Sequence, residues 1–342
     1  MWRFKTAAQD LIGVDIGSST VNIVELRFKG GGPRVSGLGV APLQAGAVIE
    51  NRIHDDDVVA DALSCALAVA KPLGKRACVA VPAGAAIVRT LNLPASLDED
   101  DIESRLQLES DKHIPFPFDD ITFDFQSLGP CDDAVDQQAV LLVACRRQAV
   151  EQRAGLLRRV GLMPVAVDVD TFAVERAMSA PWIRSSSSGE DGEGLALVDV
   201  GADSSAFYIL QRGRVVYRHD IALGGRMLIE GFGDRHGAEH GHGLPDDTLA
   251  PFVDALAGQI GRALQLYHAA GQGLEIRHMS LAGSVSVLPG LVGQLAEKSE
   301  LRVAVVDPLH GVRRHSRVDA RRLTEAAPSM LAACGLAMRG RP

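Results

Sequence analysis

LIGVDIGSSTVNIVEL, Leu11 to Leu26, and LALVDVGADSSAFYIL, Leu195 to Leu210, are near copies of one another. Each is an apolar run ending in an aspartate, then a Gly/Ser-rich turn, then a second apolar run. Runs of four to six β-formers on either side of a tight turn read as a β-hairpin. Asp15 and Asp199 hold the same place in the two copies, so the chain reads as a duplication with one hairpin per half. Gly17 and Gly201 permit close backbone approach. The N–H groups that follow, over Ser18, Ser19 and Thr20 in the first copy and Ala202, Asp203 and Ser204 in the second, can converge on an anion. Two such turns facing across a cleft suit the β- and γ-phosphates of a nucleotide, with the two carboxylates orienting Mg²⁺ and its waters. One D-x-G-x-S alone is equally an ordinary hairpin turn in a core sheet. Two in matching context predict a nucleotide cleft.

A third element appears late. MSLAGSVSVLPGL, Met279 to Leu291, is an apolar strand, a turn at Gly283, Ser284 and Val285, and a helix start. Alone it is a plain strand–turn–helix. The order Asp-hairpin, Asp-hairpin, Gly-turn resembles the actin, Hsp70 and sugar-kinase superfamily, in which a turn of this kind lies under the adenosine.

Over nearly the whole chain the sequence resembles one family within it, the PilM type IV pilus assembly proteins, relatives of the cell-division protein FtsA. The resemblance rests on LIGVDIGSSTVNIVEL, HIPFPFDDITFDFQSLG (His113 to Gly129), VGLMPVAVDVDTFAVERA (Val160 to Ala177), LVDVGADSS, IALGGRMLIEGF, QIGRALQLYHAA, LAGSVSVLPGL and APSMLAACGLAMRG (Ala327 to Gly340). The IPFP segment with its acidic follow-on is the most specific of these. The resemblance implies an α/β fold: an actin-like, two-lobed ATPase fold of ribonuclease H-like duplicated halves, with an FtsA-type inserted subdomain. It implies ATP with Mg²⁺, the metal held by Asp15 and Asp199 through water. The nucleotide would meet Asp15, Gly17, Ser18, Ser19, Thr20, Asn22, Asp199, Gly201, Ala202, Asp203, Ser204, Gly224, Gly225, Gly283, Ser284 and Val285. No catalytic residue is assigned. The implied partner is the N-terminal cytoplasmic tail of the inner-membrane protein PilN. It would lie in a groove between the first lobe and the insert, with Ile114, Phe116 and Phe118 as candidate lining. Other pilus inner-membrane platform proteins and motor ATPases are further candidates. The implied location is cytoplasmic, peripheral to the inner membrane through the partner.

Bulk properties agree. A length of 342 residues allows two lobes, each able to bury a core. Hydrophobic content of 46% with a mean hydropathy of +0.09 is that of a globular protein. A net charge of −8 argues against broad nucleic-acid binding. No apolar stretch approaches the roughly 18–20 residues that span a bilayer. The best candidate, Val58 to Ala70, is interrupted by Asp61. The start, MWRFKTAAQD, is too short and polar for a signal peptide. Cys65, Cys78, Cys131, Cys145 and Cys334 form no C-x-x-C pair and read as reduced, mostly buried thiols.

Residues 1–82 are expected to form the first-lobe core: the hairpin, a polar turn at Lys29 to Pro33, a strand, a helix from Asp55 to Ala70 capped by Asp55 or Asp56, and a buried strand at Ala77 to Pro82. Residues 83–164 form the inserted subdomain, a β-α-β-β-α segment. Its first helix starts at Ser96 with Glu99 completing a capping box, and Asp98, Glu99, Asp100 and Asp101 lie in the first turn. Arg146 to Val160 reads as a basic amphipathic helix with a solvated face. Residues 165–184 are a crossover strand and helix with Asp168 and Asp170 at its entry. In actin-like enzymes that helix carries the residue that positions the attacking water, and helix capping by Asp170 is an equal reading. Residues 185–194 are a polar flexible connection. Residues 195–223 and 278–318 are the second-lobe core, 224–277 its helix-rich upper part, and 319–342 a closing helix that returns to the first lobe.

Two clusters are set aside. His236, His240 and His242 with Asp234 and Glu239 lack the spacing of a closed zinc site. Arg313, Arg314, Arg317, Arg321 and Arg322 could meet anionic lipid or an acidic partner, but read as a solvated loop and helix end. The chain also departs twice from the family it resembles. Asn22 stands where a phosphate-facing lysine is usual, which removes a full charge and leaves an amide donor. Ser284 follows Gly283 where a second glycine is usual, which narrows the adenine slot if that backbone needs φ > 0. Both point to a weak or idle ATPase. The rivals are a small-molecule kinase of the superfamily, which needs a carboxylate base among Asp168, Asp170 and Asp199, and an FtsA-like division protein. The latter ends in an amphipathic membrane helix, whereas this chain stops at Arg341-Pro342 after its closing helix.

Overall fold

The computed structural model describes residues 10–28, 32–131, 134–183, 193–228, 246–271 and 273–339. The His236, His240 and His242 cluster and most of the 185–194 connection lie outside these residues.

Two sheets share one topology. In the first, β1 (Leu11–Ile16) pairs antiparallel with β2 (Thr20–Phe28), which pairs antiparallel with β3 (Pro33–Pro42). On the other side of β1, β6 (Arg76–Val81) and β10 (Met163–Val169) add in parallel. In the second, β11 (Gly194–Val200), β12 (Ser205–Gln211) and β13 (Arg214–Ile221) repeat the meander, and β14 (Ile276–Ala282) and β15 (Arg302–Val305) repeat the parallel edge. The registers correspond: Asp15 lies opposite Asn22, and Asp199 opposite Ala206. β11 begins at Gly194, the last residue of the expected connection.

The strands are apolar on both faces because both faces are covered. Period-2 alternation sorts β2 cleanly. Val21 and Ile23 face an outer core with Val59 and Leu63 of α1 (Asp56–Ala70) and Leu156 and Leu157 of α4 (Arg147–Arg159). Val24 and Leu26 face a central core with Val174 and Ala177 of α5 (Asp170–Met178), Leu331 and Cys334 of α9 (Leu331–Ala337), and Leu197 and Tyr208 of the second sheet. So α5 and α9 lie between the two sheets and join the lobes. The outer face of the second sheet is covered by α6 (Asp246–Ala269) and α7 (Leu291–Ser299), through Phe252, Leu256, Ile260 and Leu295. A short helix, α8 (Ala320–Ala326), precedes the closing helix α9. That closing helix seats backbone against backbone: a Cβ on Gly13 of β1 would fall 1.8 Å from the Ala333 carbonyl oxygen.

The insert is a three-stranded sheet, β7 (Ala86–Pro94), β9 (Ala134–Arg146) and β8 (Ile121–Cys131), over α2 (Glu99–Leu108), which runs on into the single turn of α3 (Ser110–His113). The α2 helix is capped by Asp98, whose carboxylate accepts from the N–H groups of Asp100 and Asp101, not by Ser96. Asp98 wins because its acceptor sits beside the first free N–H groups as well as the dipole. The helix Arg147–Arg159 is not merely a solvated face of the insert. Leu156 and Leu157 are buried with α1 in the first lobe. Two short pairings were not anticipated. β4 (Val48–Ile49) pairs with β5 (Arg52–Ile53) at the cleft rim. β16 (Arg313–Arg314) leaves the second lobe and pairs in parallel with β3.

Candidate functional site

The C-terminal ends of β1, β6, β10 and β11 converge on one cleft of about 170 Å³ that is continuous with solvent. Both Asp turns line it. So do Asp170, Arg153, Arg218, Gly283 and Ser284. In the first turn Gly17 N–H donates to Thr20 O at 3.0 Å, and Leu43 N–H donates to Ser19 O at 2.7 Å, pinning the turn to the end of β3. The second turn is braced from behind. Gly225 N–H donates to Gly201 O at 2.9 Å and Arg226 N–H to Ala202 O at 2.8 Å. Gly224 and Gly225 are buried and support the turn without lining the cleft. Asp203 does not line the cleft but reaches across to the facing turn, paired with Arg226 and accepting from Ser18. The Arg226 guanidinium holds its carboxyl below the usual range. Val285 packs against Gly225 and does not line the cleft.

Asp15 and Asp199 carry the electrostatics. Burial pushes Asp15 up to about 6, opposed by a hydrogen bond from Asn22 Nδ2 at 3.1 Å. Burial, with the negative charges of Asp15 and Asp170 added, pushes Asp199 up to about 7. Among the described residues no donor reaches the Asp199 carboxylate. Asn22 is 5% exposed, spends an N–H on Asp15, and leaves its own Oδ1 buried without a partner. Asn22 lines the cleft beside Asp15, and register places it where the carboxylate takes one of its two amide N–H groups.

The two aspartates of the crossover separate sharply. Asp168 is sealed between Arg176 and Arg339, each at 2.9 Å, and tethers α5 to the chain end. Asp170 faces the cleft. Its Oδ1 accepts from Ala83 N–H at 3.0 Å and from Thr171, and Arg218 stands 3.9 Å from its Oδ2. Burial raises its pKa, and Arg218 opposes the shift. β10 ends at Val169, so Asp168 stays in the packed strand layer while Asp170, the first residue of α5, stands at the mouth.

Gly283 adopts φ +90, and a Cβ there would fall 2.2 Å from the Val200 carbonyl oxygen. Its N–H donates to Pro328 O at 2.8 Å, so this turn joins the second lobe to the segment before α9. Ser284 does not need positive φ and lines the cleft without backbone strain, which corrects the expected conflict.

Of the insert residues, Ile114 is 3% exposed and belongs to the insert core, so it does not line a groove. Phe116 and Phe118 are half-buried. The Arg146 guanidinium lies 4.1 Å over the Phe116 ring, and Phe118 stacks at a tilt on Phe123. Arg153 and Arg218 were not anticipated. Arg153 sits in a helix whose arginines read as a solvated face and Arg218 in a strand that carries no motif, and only the fold brings them to the cleft. Among the described residues there is no cluster of three or more metal-binding side chains, and no helix is long and apolar enough to cross a membrane. The described cysteines form no disulfide, with Cys78, Cys145 and Cys334 buried.

The family model for type IV pilus assembly protein PilM matches residues 13–341. A solved chain of a PilM-PilN type IV pilus biogenesis complex is 24% identical, with a TM-score of 0.78, covering 98% of this chain and 100% of that one. The ethanolamine utilization protein EutJ from Carboxydothermus hydrogenoformans is 14% identical at a TM-score of 0.48, covering 98% and 91%. Two sheets that share a five-strand topology, with an insert between β6 and β10, and a family match over almost the entire length, lead to one conclusion: this chain has an actin-like fold and belongs to the PilM family of type IV pilus assembly proteins.

Proposed function

We propose that the protein binds Mg²⁺-ATP in the interlobe cleft and serves as a nucleotide-loaded scaffold of the pilus inner-membrane platform, docking the N-terminal tail of PilN. The observation that carries the nucleotide reading is the pair of Asp turns facing one cleft, with the Gly283 turn beside them. The residues fit the metal. Two carboxylates burdened by burial favour a cation, and the orphaned Asn22 Oδ1 offers an acceptor to a metal-bound water. Mg²⁺ keeps several waters and takes few protein ligands, which suits a site with no closed cage. When bound, it would neutralise phosphate charge. The chain's own part is to present turn N–H groups to the phosphates and hold the two carboxylates apart. A slow or idle turnover follows from the neutral Asn22, and the kinase alternative loses Asp168, which is held by two arginines.

The solved relative assembles with PilN, and the same docking is proposed here. The exposed edges of Phe116 and Phe118 and the insert strand around Val88, 44% exposed, are the candidate surface. A short peptide there would bury a few apolar anchors and add main-chain hydrogen bonds. The test is binding of a fluorescent ATP analogue and capture of a synthetic PilN tail peptide, each with and without Mg²⁺-ATP. Asp15→Ala combined with Asp199→Ala should abolish nucleotide binding with unchanged far-UV circular dichroism. Val88→Glu should weaken peptide capture and spare nucleotide. Full nucleotide binding by the double variant would overturn the cleft assignment.

A further inference from the structure

We infer that Arg153 receives the terminal phosphate of a nucleoside triphosphate in this cleft, supplying from α4 the charge that Asn22 does not. The inference rests on the nucleotide reading above and assigns one side chain within it.

Arg153 is 6% exposed, yet lines the cleft. Its Nη1 donates to the Ala149 carbonyl at 3.3 Å and its Nη2 to the Asn51 carbonyl at 3.1 Å, Asn51 being in the β4–β5 turn at the rim. No carboxylate among the described residues pairs with it. A guanidinium carries five N–H donors in a fixed fork, so two neutral carbonyls leave it both donors and charge to spare. Burying a charge against neutral partners is costly, and such a group is ordinarily paired. Burial lowers its pKa, opposed only in part by Cys145, were it ionised, and by Asp170. Asp170 is already satisfied by Ala83, Thr171 and Arg218.

A strut tying α4 to the β4–β5 turn would need N–H groups and no charge, so a neutral amide would serve. The remaining cation of the cleft, Arg218, is engaged by Asp220 at 2.8 Å and directed to Asp170. Arg153 is thus the cleft cation without a carboxylate among the described residues. It belongs to the first lobe, the lobe whose turn has the neutral Asn22. Its planar fork matches two phosphate oxygens at once, which a lysine cannot do. That geometry favours the end of a triphosphate over a diphosphate lacking it.

The experiment compares Mg²⁺-ATP and Mg²⁺-ADP affinity, by displacement of a fluorescent analogue, in the wild type, Arg153→Gln and Arg153→Lys. Gln keeps a donor for the Asn51 carbonyl and removes the charge. It should weaken ATP on the order of 10-fold while ADP moves less than about 2-fold, as expected for loss of a charge-assisted pair. Lys should fall between. Should the Gln variant not fold, Lys is decisive: a selective ATP loss supports the assignment. Equal loss of both nucleotides, or of neither, in a folded variant makes Arg153 a strut and overturns the inference alone. A wild type that binds neither nucleotide overturns the nucleotide reading and this inference with it.

Discussion

The two Asp turns descend from one pattern and are held in opposite ways. The first is pinned from the side by Leu43, and its aspartate has a partner in Asn22. The second is clamped from behind by Gly224, Gly225 and Arg226, and its aspartate has no donor among the described residues. The opposing residue on the hairpin makes the difference: Asn22 in one lobe, Ala206 in the other. Equivalent backbone therefore yields one turn that is electrostatically satisfied and mechanically open, and one that is mechanically fixed and electrostatically unsatisfied. A cation or phosphate in the cleft would relieve the second more than the first.

Matched substitutions break this comparison most forcefully at the glycines. A Cβ on Gly201 would sit 2.5 Å from the Ser204 carbonyl oxygen, against 3.3 Å from the Thr20 carbonyl for Gly17. Gly201→Ala should cost on the order of 2–3 kcal/mol and Gly17→Ala less than about 1 kcal/mol, read from urea midpoints. Equal costs would mean that the braced turn is no stiffer than the pinned one.

Titration sharpens it next. Asp15 titrates at about 6 and Asp199 at about 7 in the folded protein, against an ordinary carboxylate value of 3.8 in the unfolded chain. Between those limits the native chain holds more protons than the unfolded one. Their contribution to stability therefore falls as pH rises from about 4 to about 7. In ligand-free protein at pH 8, Asp199→Asn should raise the melting temperature by an amount reflecting on the order of 1–2 kcal/mol, and Asp15→Asn by less. The pH slope should shrink in both variants. A larger gain at Asp15 would reverse the assignment of the unsatisfied turn.

The smallest effect is a gain. Asn22→Lys should tighten Mg²⁺-ATP by about 1 kcal/mol, while the matching Ala206→Lys gives no such gain. A nucleotide titration of both variants decides it.

Much of this was legible in the chain. The hairpins, the Asp55 cap, the insert strands and the closing helix follow from local patterns of period and capping, which act over a few residues. What was not legible depends on which surfaces meet. Whether Asp168 or Asp170 faces the cleft turns on where β10 gives way to α5, and the sequence VDVD does not mark that point. Ser96 and Asp98 are both good caps, and only the helix register chooses. Arg153 lies in a run of arginines that reads as solvated, and its burial exists only because α4 packs on the first lobe as well as on the insert. The short pairing of Arg313 and Arg314 with β3 leaves no signal in two exposed basic residues.

That last strand, with the helix behind it, has a consequence for how the molecule is made. The second sheet draws its strands from Gly194 to Val305 and can close as soon as that stretch has left the ribosome. The first sheet begins at Leu11 but waits for β16 at its edge, for α9 over Gly13 and for Arg339 on Asp168. The lobe synthesised first is thus completed after the second, its inner apolar face open until the stretch from Arg313 to Arg339 has been made. Such a long-range closure is slow and exposes sticky surface meanwhile. A nascent chain therefore depends on α9 to bury β1, made long before it.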